Sequence, residues 1–371
     1  MFWLLLALSN CFFAYLAEKQ YDMDNKKCII WLCIIIAIDT FFVGLRDFSV
    51  GIDTGVYIED YYIYANNRSF TELLDLENGY DVGFLILAYI SGLLSDNPQS
   101  LLILTELLII GFICMGLYEY KKSISLDMPM FFSLFWLLYG NETYNLMRQF
   151  CAIAILFYAF SLFLRRKWMF YIILQFLSYF FHSSSVLFIA VPILSIISNF
   201  KGRVKYCLLL FFVIGIISFI SMYFLFLDYI GDLGLLKDVY LDRYGAGSDF
   251  ENSRISFGVR YILQYLMPII LIFLIFREKK LDMQQRFMLL ALFIISCSIE
   301  QMRFVMIYFA RLSYYWGMVF IVYFSYVIKQ KGIYVPFIAI YFLLYFIIAY
   351  NNYTLVIPDA HYYYSSKILN I

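Results

Sequence analysis

The sequence predicts an all-α, polytopic membrane protein. It reads as a transmembrane helical bundle of about twelve spans, with one short re-entrant or interfacial helix and two long outer loops, forming a single integral membrane domain over residues 1–371. Three observations carry this. Of 371 residues 64% are apolar and 15% charged, with a mean hydropathy of +0.79, against about 45–50% apolar and about 25% charged in soluble domains. Apolar runs recur at about the 20-residue length that crosses a hydrocarbon core of about 30 Å. No segment shows the ten-residue alternation of a membrane β-barrel.

The spans fall, in order, at 2–17, 28–45, 101–118, 128–141, 146–164, 168–181, 184–199, 206–227, 259–276, 287–300, 311–328 and 333–350. Residues 1–16 lack the basic start and small-residue cleavage site of a signal peptide, so they read as the first span. Lys and Arg in short loops set the orientation. Arg165–Lys167, Lys201–Lys205, Arg277–Arg286 and Lys329–Lys331 are separated by pairs of spans and fall on the cytoplasmic side, with Lys26, Lys27, Lys121 and Lys122. The 141–145 turn, residues 182–185, loop 228–258 and the tail from Asn351 then face outward. Parity of crossings fails between Gly44 and Lys121 unless Val82–Ser95 does not cross, and that run is short for a span. A cytoplasmic 46–80 loop is the competing solution.

Loops 46–80 and 228–258 exceed ordinary connection lengths. The first carries seven acids against Arg46 and Arg68, the second six against Lys237, Arg243 and Arg254. Tyr57, Tyr61, Tyr62, Tyr64 and Tyr80 stud the first loop, Tyr229, Tyr240 and Tyr244 the second. Such faces beside carboxylates suit sugars, and equally an interfacial aromatic belt.

Charge within or beside apolar spans marks function, because exposure to hydrocarbon costs about 2.5–3.5 kcal/mol. Arg46, Arg148, Arg303 and Arg311 lie at outer helix ends, where the orientation rule should deplete them. Guanidinium binds phosphate oxygens bidentately, which makes the four candidates for a diphosphate; snorkelling or pairing with Asp47, Asp53, Glu142 or Glu300 is the alternative. His182, in Phe181-His182-Ser183-Ser184, is a candidate proton carrier or phosphate donor, or a histidine satisfied by its serines. His361 reads as surface.

The chemistry that remains is narrow. Balanced charge, with 27 basic and 27 acidic residues, argues against nucleic acid as a partner. Two histidines without Cys–His pairing leave no metal site, and no cofactor is expected. No Gly-x-Ser-x-Gly elbow or Walker motif occurs. The seven cysteines lie in apolar stretches and read as packing residues.

Several segments, in order, resemble the EpsG-type polysaccharide polymerases, similar in role to Wzy O-antigen polymerases. Phe42-Val43-Gly44-Leu45-Arg46 with Val50-Gly51-Ile52-Asp53-Thr54-Gly55-Val56-Tyr57 resembles "GLR…VGxDTxxY". Glu77-Asn78-Gly79-Tyr80-Asp81-Val82-Gly83-Phe84 resembles E-x-G-[FY], Asn145–Ala152 the [IM]RQ-x-[IL]A helix start, Phe181–Ser184 the FH-x-S turn. Ala310-Arg311-Leu312-Ser313-Tyr314-Tyr315 resembles GR-x-x-x-YF, with Ala in place of Gly.

The resemblance implies a glycosyltransferase of the bacterial inner membrane with its active site on the periplasmic face. It implies donor and acceptor repeat units on undecaprenyl pyrophosphate, membrane lipids around them and a chain-length regulator as a further partner. The growing glycan passes to the non-reducing end of a new lipid-linked unit, building O-antigen, capsule or exopolysaccharide. Arg46, Arg148, Arg303 and Arg311 would then hold the pyrophosphate. Asp53 is the first choice of base, with Asp81 or His182 the fallback, and Tyr57, Tyr80 and Glu77 would touch sugar. An O-antigen ligase and a lipid-linked oligosaccharide transporter are the alternatives.

Overall fold

The computed structural model describes residues 2–51, 53–73, 81–124, 126–225, 283–301, 308–331 and 364–370. Every regular element among them is helical. The expected spans at 259–276 and 333–350, loop 228–258 and residues Glu77, Tyr80 and Arg303 lie outside the described residues. Asn25–Gly44, Gln99–Ser123 and Met147–Leu164 are long and apolar enough to cross a membrane; Val82–Leu94, Trp168–Phe181, Ser183–Ser198, Val204–Ser218 and Arg286–Ile299 are shorter apolar helices.

The chain divides into two compact units: residues 1–186 with 321–371, and residues 187–320. The first begins with α1 (Phe2–Tyr21) and α2 (Asn25–Gly44). It continues through the short α3 (Thr54–Val56), a π-helix (Tyr57–Ile63), α4 (Tyr64–Asn66) and α5 (Phe70–Leu73). Then come α6 (Val82–Leu94), α7 (Gln99–Ser123), α8 (Met128–Asn145), α9 (Met147–Leu164) and α10 (Trp168–Phe181). In the second unit, α11 (Ala190–Ser198), α12 (Val204–Leu225) and α13 (Met283–Gln301) pack on one another. Tyr206 meets Phe287 edge-on at 5.8 Å there, and Phe188 stacks on Trp316 of α14 (Tyr308–Lys331) at 5.0 Å.

In the first unit α9 is the central helix, buried along nearly its whole length and packed against α7 and α10. In lipid, helices associate by close packing rather than by escape from water, so small residues set the approach. A Cβ on Gly116 would stand 2.6 Å from Phe157 of α9, and one on Gly44 would stand 2.9 Å from Ile103 of α7.

Polar contacts sort the helix ends of this unit into two sets. Lys121 pairs with Glu18 at 3.1 Å and Lys329 pairs with the same carboxylate, while Lys122 and Arg165 both pair with Glu119. The Met128 N–H also donates to Glu18. The opposite end gathers the end of α2, the starts of α7 and α9 and the end of α8: Gln99 Nε2 donates to the Gly44 and Arg46 carbonyls. Four of the basic residues expected on one side, Lys121, Lys122, Arg165 and Lys329, therefore share one end of the unit.

Helix α6 starts and finishes at that opposite end. Asp81, just before it, pairs with Arg148, and the Ser95 carbonyl, just after it, accepts from Tyr62 Oη at 2.8 Å. Thirteen residues reach only about 20 Å, short of the thickness of a hydrocarbon core, which is the length a re-entrant or interfacial helix would have. Two details differ from the sequence reading. Segment 46–73 is largely helical rather than open loop, and α8 runs on through Asn145, so that Leu146 alone makes the corner into α9.

Candidate functional site

The α8–α9 corner is where the separate motifs meet. Gly51 adopts φ +96°, and a Cβ there would lie 2.7 Å from Thr54 Oγ1 and 2.9 Å from the Tyr144 ring, so only glycine lets this turn seat on the corner. Thr54 Oγ1 donates to the Val50 carbonyl at 2.8 Å and lies 3.4 Å from that of Tyr144. Tyr57 Oη donates to the Asn145 carbonyl at 3.1 Å. The π-helix, bonded i→i+5, turns Tyr57 and Tyr61 toward α6, where both rings meet Phe84 at 5.5 and 5.1 Å. It leaves Glu59 and Asp60 exposed.

Arg148 lies in the first turn of α9, beneath these rings. Its Nη1 donates to Asp81 Oδ2 at 2.6 Å, and its Cζ lies 5.0 Å from the Tyr61 ring centre and 5.8 Å from that of Tyr57. The rings face the cation with their negative quadrupole. The side chains of Arg148 and Asp81 are 23% and 15% exposed, so the pair can be reached from outside. Arg148 Nε is buried without a partner. No side chain caps α9, and the N-terminus of an 18-residue helix adds partial positive charge to that of the guanidinium. The arrangement is an anion site with one anion, Asp81, already in it. Burial raises the Asp81 carboxyl above its ordinary range, and the neighbouring Arg148 opposes that rise.

Arg46 sits one layer deeper and is 1% exposed. Its Nη1 donates to the Val43 carbonyl at 2.6 Å, Nη2 lies 3.4 Å from Met147 Sδ, and Cζ stands 5.5 Å from the Tyr144 ring. Glu106 of α7 acts on it electrostatically. The turn that follows is strapped by the chain's last segment. Tyr364 Oη donates to the Phe42 carbonyl, Ser366 Oγ to that of Leu45, and the backbone of Asp47 bonds to Ser365.

The EpsG family model matches residues 29–365. The chain belongs to the EpsG family. No curated protein matches it, and no solved structure does. Membership supports a role of the polysaccharide-polymerase type in general.

In this EpsG-family chain the early motif (Gly51, Thr54, Tyr57), the middle motif (Asp81, Gly83) and the α9 motif (Arg148) build one site. Gly83 brings α6 against the end of α10, where a Cβ would stand 2.9 Å from the Phe180 carbonyl group. His182 follows α10; its Nδ1 accepts from the Ser184 N–H at 3.3 Å and lies 2.7 Å from Ser184 Oγ. That backbone donor assigns the ring proton to Nε2. Asp53 precedes α3, half-buried, with no side-chain hydrogen bond or ion pair among the described residues. Tyr57 is 5% exposed, so it lines the site through its ring. Arg311 lies half-buried in the first turns of α14, in the second unit.

Sequence reasoning named Tyr61 only among the aromatics of its loop and passed over Tyr144; both supply aromatic walls here. It also passed over Asp39 and Glu106, although both are acids inside apolar runs and the rule that marks intramembrane charge applies to them equally. Among the described residues no three His, Cys, Asp or Glu side chains gather as metal ligands.

Proposed function

We propose that this protein polymerises lipid-linked oligosaccharide repeat units, and that the Arg148–Asp81 pair is the centre of the reaction. The observation that carries this is an accessible guanidinium, walled by tyrosines at an uncapped helix start, with a single carboxylate as its counter-ion. The donor's diphosphate, on an undecaprenyl carrier, is a stronger and bidentate partner for Arg148 than Asp81 is. Its arrival displaces Asp81, and the freed carboxylate takes the proton from the acceptor hydroxyl. The acceptor oxygen bonds to the anomeric carbon as the bond from that carbon to the diphosphate oxygen breaks. Arg148 and the α9 N-terminus stabilise charge growing on the leaving group. The proton then passes from Asp81 to the departing diphosphate or to solvent. The energy comes from the lipid diphosphate linkage.

In this reading the end holding Lys121, Lys122, Arg165 and Lys329 is cytoplasmic. The site then opens on the outer face of a bacterial inner membrane.

The test supplies purified protein with one synthetic lipid-diphosphate repeat unit and resolves the products by size. A ladder is expected. Arg148→Ala should lower its rate by about 100-fold or more, Arg148→Lys should recover part of it, and Cys151→Ala should match the parent. A single unextended band from folded parent protein overturns the assignment.

A further inference from the structure

Beneath the site, the core of the first unit holds a polar cluster that the proposed transfer does not use. Asp39 of α2 and Asn10 of α1 are 0% exposed, Glu106 of α7 is 4% exposed and Arg46 is 1% exposed. Asn10 Nδ2 donates to both Asp39 carboxylate oxygens, at 2.7 and 2.8 Å. Its own Oδ1 is buried without a donor among the described residues. Glu106 accepts no hydrogen bond among the described residues, and its charge acts on Asp39 on one side and on Arg46 on the other.

The charge count is unbalanced. The cluster holds two carboxylates and one guanidinium, and of the two carboxylates the guanidinium acts on Glu106 alone. The other titratable groups that act on the cluster are the thiol of Cys114 beside Asp39, the thiol of Cys151 of α9 beside Glu106, and the phenols of Tyr144 and Tyr364 beside Arg46. None of these supplies positive charge. Lys121 is held by Glu18 and Arg148 by Asp81. Segments 74–80 and 332–363, which complete this unit, contain no Lys or Arg. A buried carboxylate left without a counter-charge takes up a proton rather than stay ionised. The orphaned amide oxygen points to the same conclusion by geometry. A carboxylic acid at Asp39 supplies the O–H donor that Asn10 Oδ1 lacks, closing a two-hydrogen-bond ring with the Asn10 amide after a small rotation.

We propose that Asp39, Asn10 and Glu106 form an intramembrane site for one proton, resting on Asp39 while Glu106 stays ionised against Arg46. The site leaves Arg46 electrically satisfied from within, so it holds the α2 end in place. It stands independently of the transferase reading.

Infrared spectra of the protein in lipid nanodiscs at neutral pH test it directly. Expected is a carboxylic-acid carbonyl band that shifts when aspartate is isotope-labelled and shifts again in heavy water. Asp39→Asn should remove that band and leave thermal stability near the parent's, since the amide mimics the neutral acid. Glu106→Gln should shift that band but leave it present, because the charge acting on Asp39 is removed while Arg46 acts on Glu106 and not on Asp39. Should either variant fail to fold, the isotope shift in the parent protein decides alone. Absence of an aspartic-acid band in folded parent protein overturns the proposal. So does a band that persists unchanged in Asp39→Asn, or one that vanishes when sodium replaces potassium, which would mark a metal-cation site.

Discussion

At one end of the first unit, Lys121 and Lys329 share the Glu18 carboxylate while Lys122 and Arg165 share Glu119. At the other, Arg148 has Asp81 as its carboxylate partner, two tyrosine faces beside it and an Nε with no hydrogen-bond partner among the described residues. Both ends are cationic and both lie at helix termini. They differ in how fully the protein answers its own charge. Where acids already bracket the cations, the pairs fasten α1, α7, α9 and α14 together and offer a ligand little. Where one carboxylate stands in for several bonds, an incoming dianion improves on what it replaces.

The sharpest way to break this contrast is Asp81→Asn. If Asp81 is the base, the rate of chain extension should fall by about 100-fold or more, with protein yield retained. The parent's rate should drop on the acid side at a higher pH than an ordinary carboxylate would give, because burial raises the Asp81 carboxyl and it is protonated, and so idle, below that raised value. The variant's residual rate should lack that acid limb. An unchanged pH profile in the variant would return the role of base to Asp53 or His182.

Gly83→Ala should come next in size. Its added methyl meets the backbone of Phe180 rather than a side chain that could turn aside. A destabilisation of about 1–3 kcal/mol is expected, read as a lower melting temperature in detergent, together with slower extension as Asp81 moves off Arg148. The smallest effect belongs to the basic end. Lys329→Ala leaves Lys121 on Glu18, so a loss below about 1 kcal/mol is expected, with extension unaffected. A large loss of activity there would erase the distinction between the ends.

Much of this fold is legible in hydropathy, because each span in lipid must satisfy its backbone internally and so declares itself as a long apolar run. The short α6 was readable for the same reason, by the length of its apolar run. The π-helix was not, since its i→i+5 spacing matches neither the helical nor the strand template, and residues 46–73 looked like loop. In the site, Arg148 stood out as a cation opening an apolar helix. Asp81 was legible as a fallback base, but its pairing with Arg148 was not, for the two lie 67 residues apart and only the packing of α6 joins them. Arg46 looked equivalent to Arg148 in sequence; it differs because Tyr144 and Met147 close over it.

The strap that residues 364–367 lay across the turn after α2 joins positions 322 residues apart in the case of Tyr364 and Phe42. Chains emerge from the ribosome in order, so α1 and α2 can pair long before the segment that ties the corner after α2 has been made. Maturation of this corner therefore waits until residues 364–367 have been made, and a fluorophore placed near Lys367 would report when that tie forms.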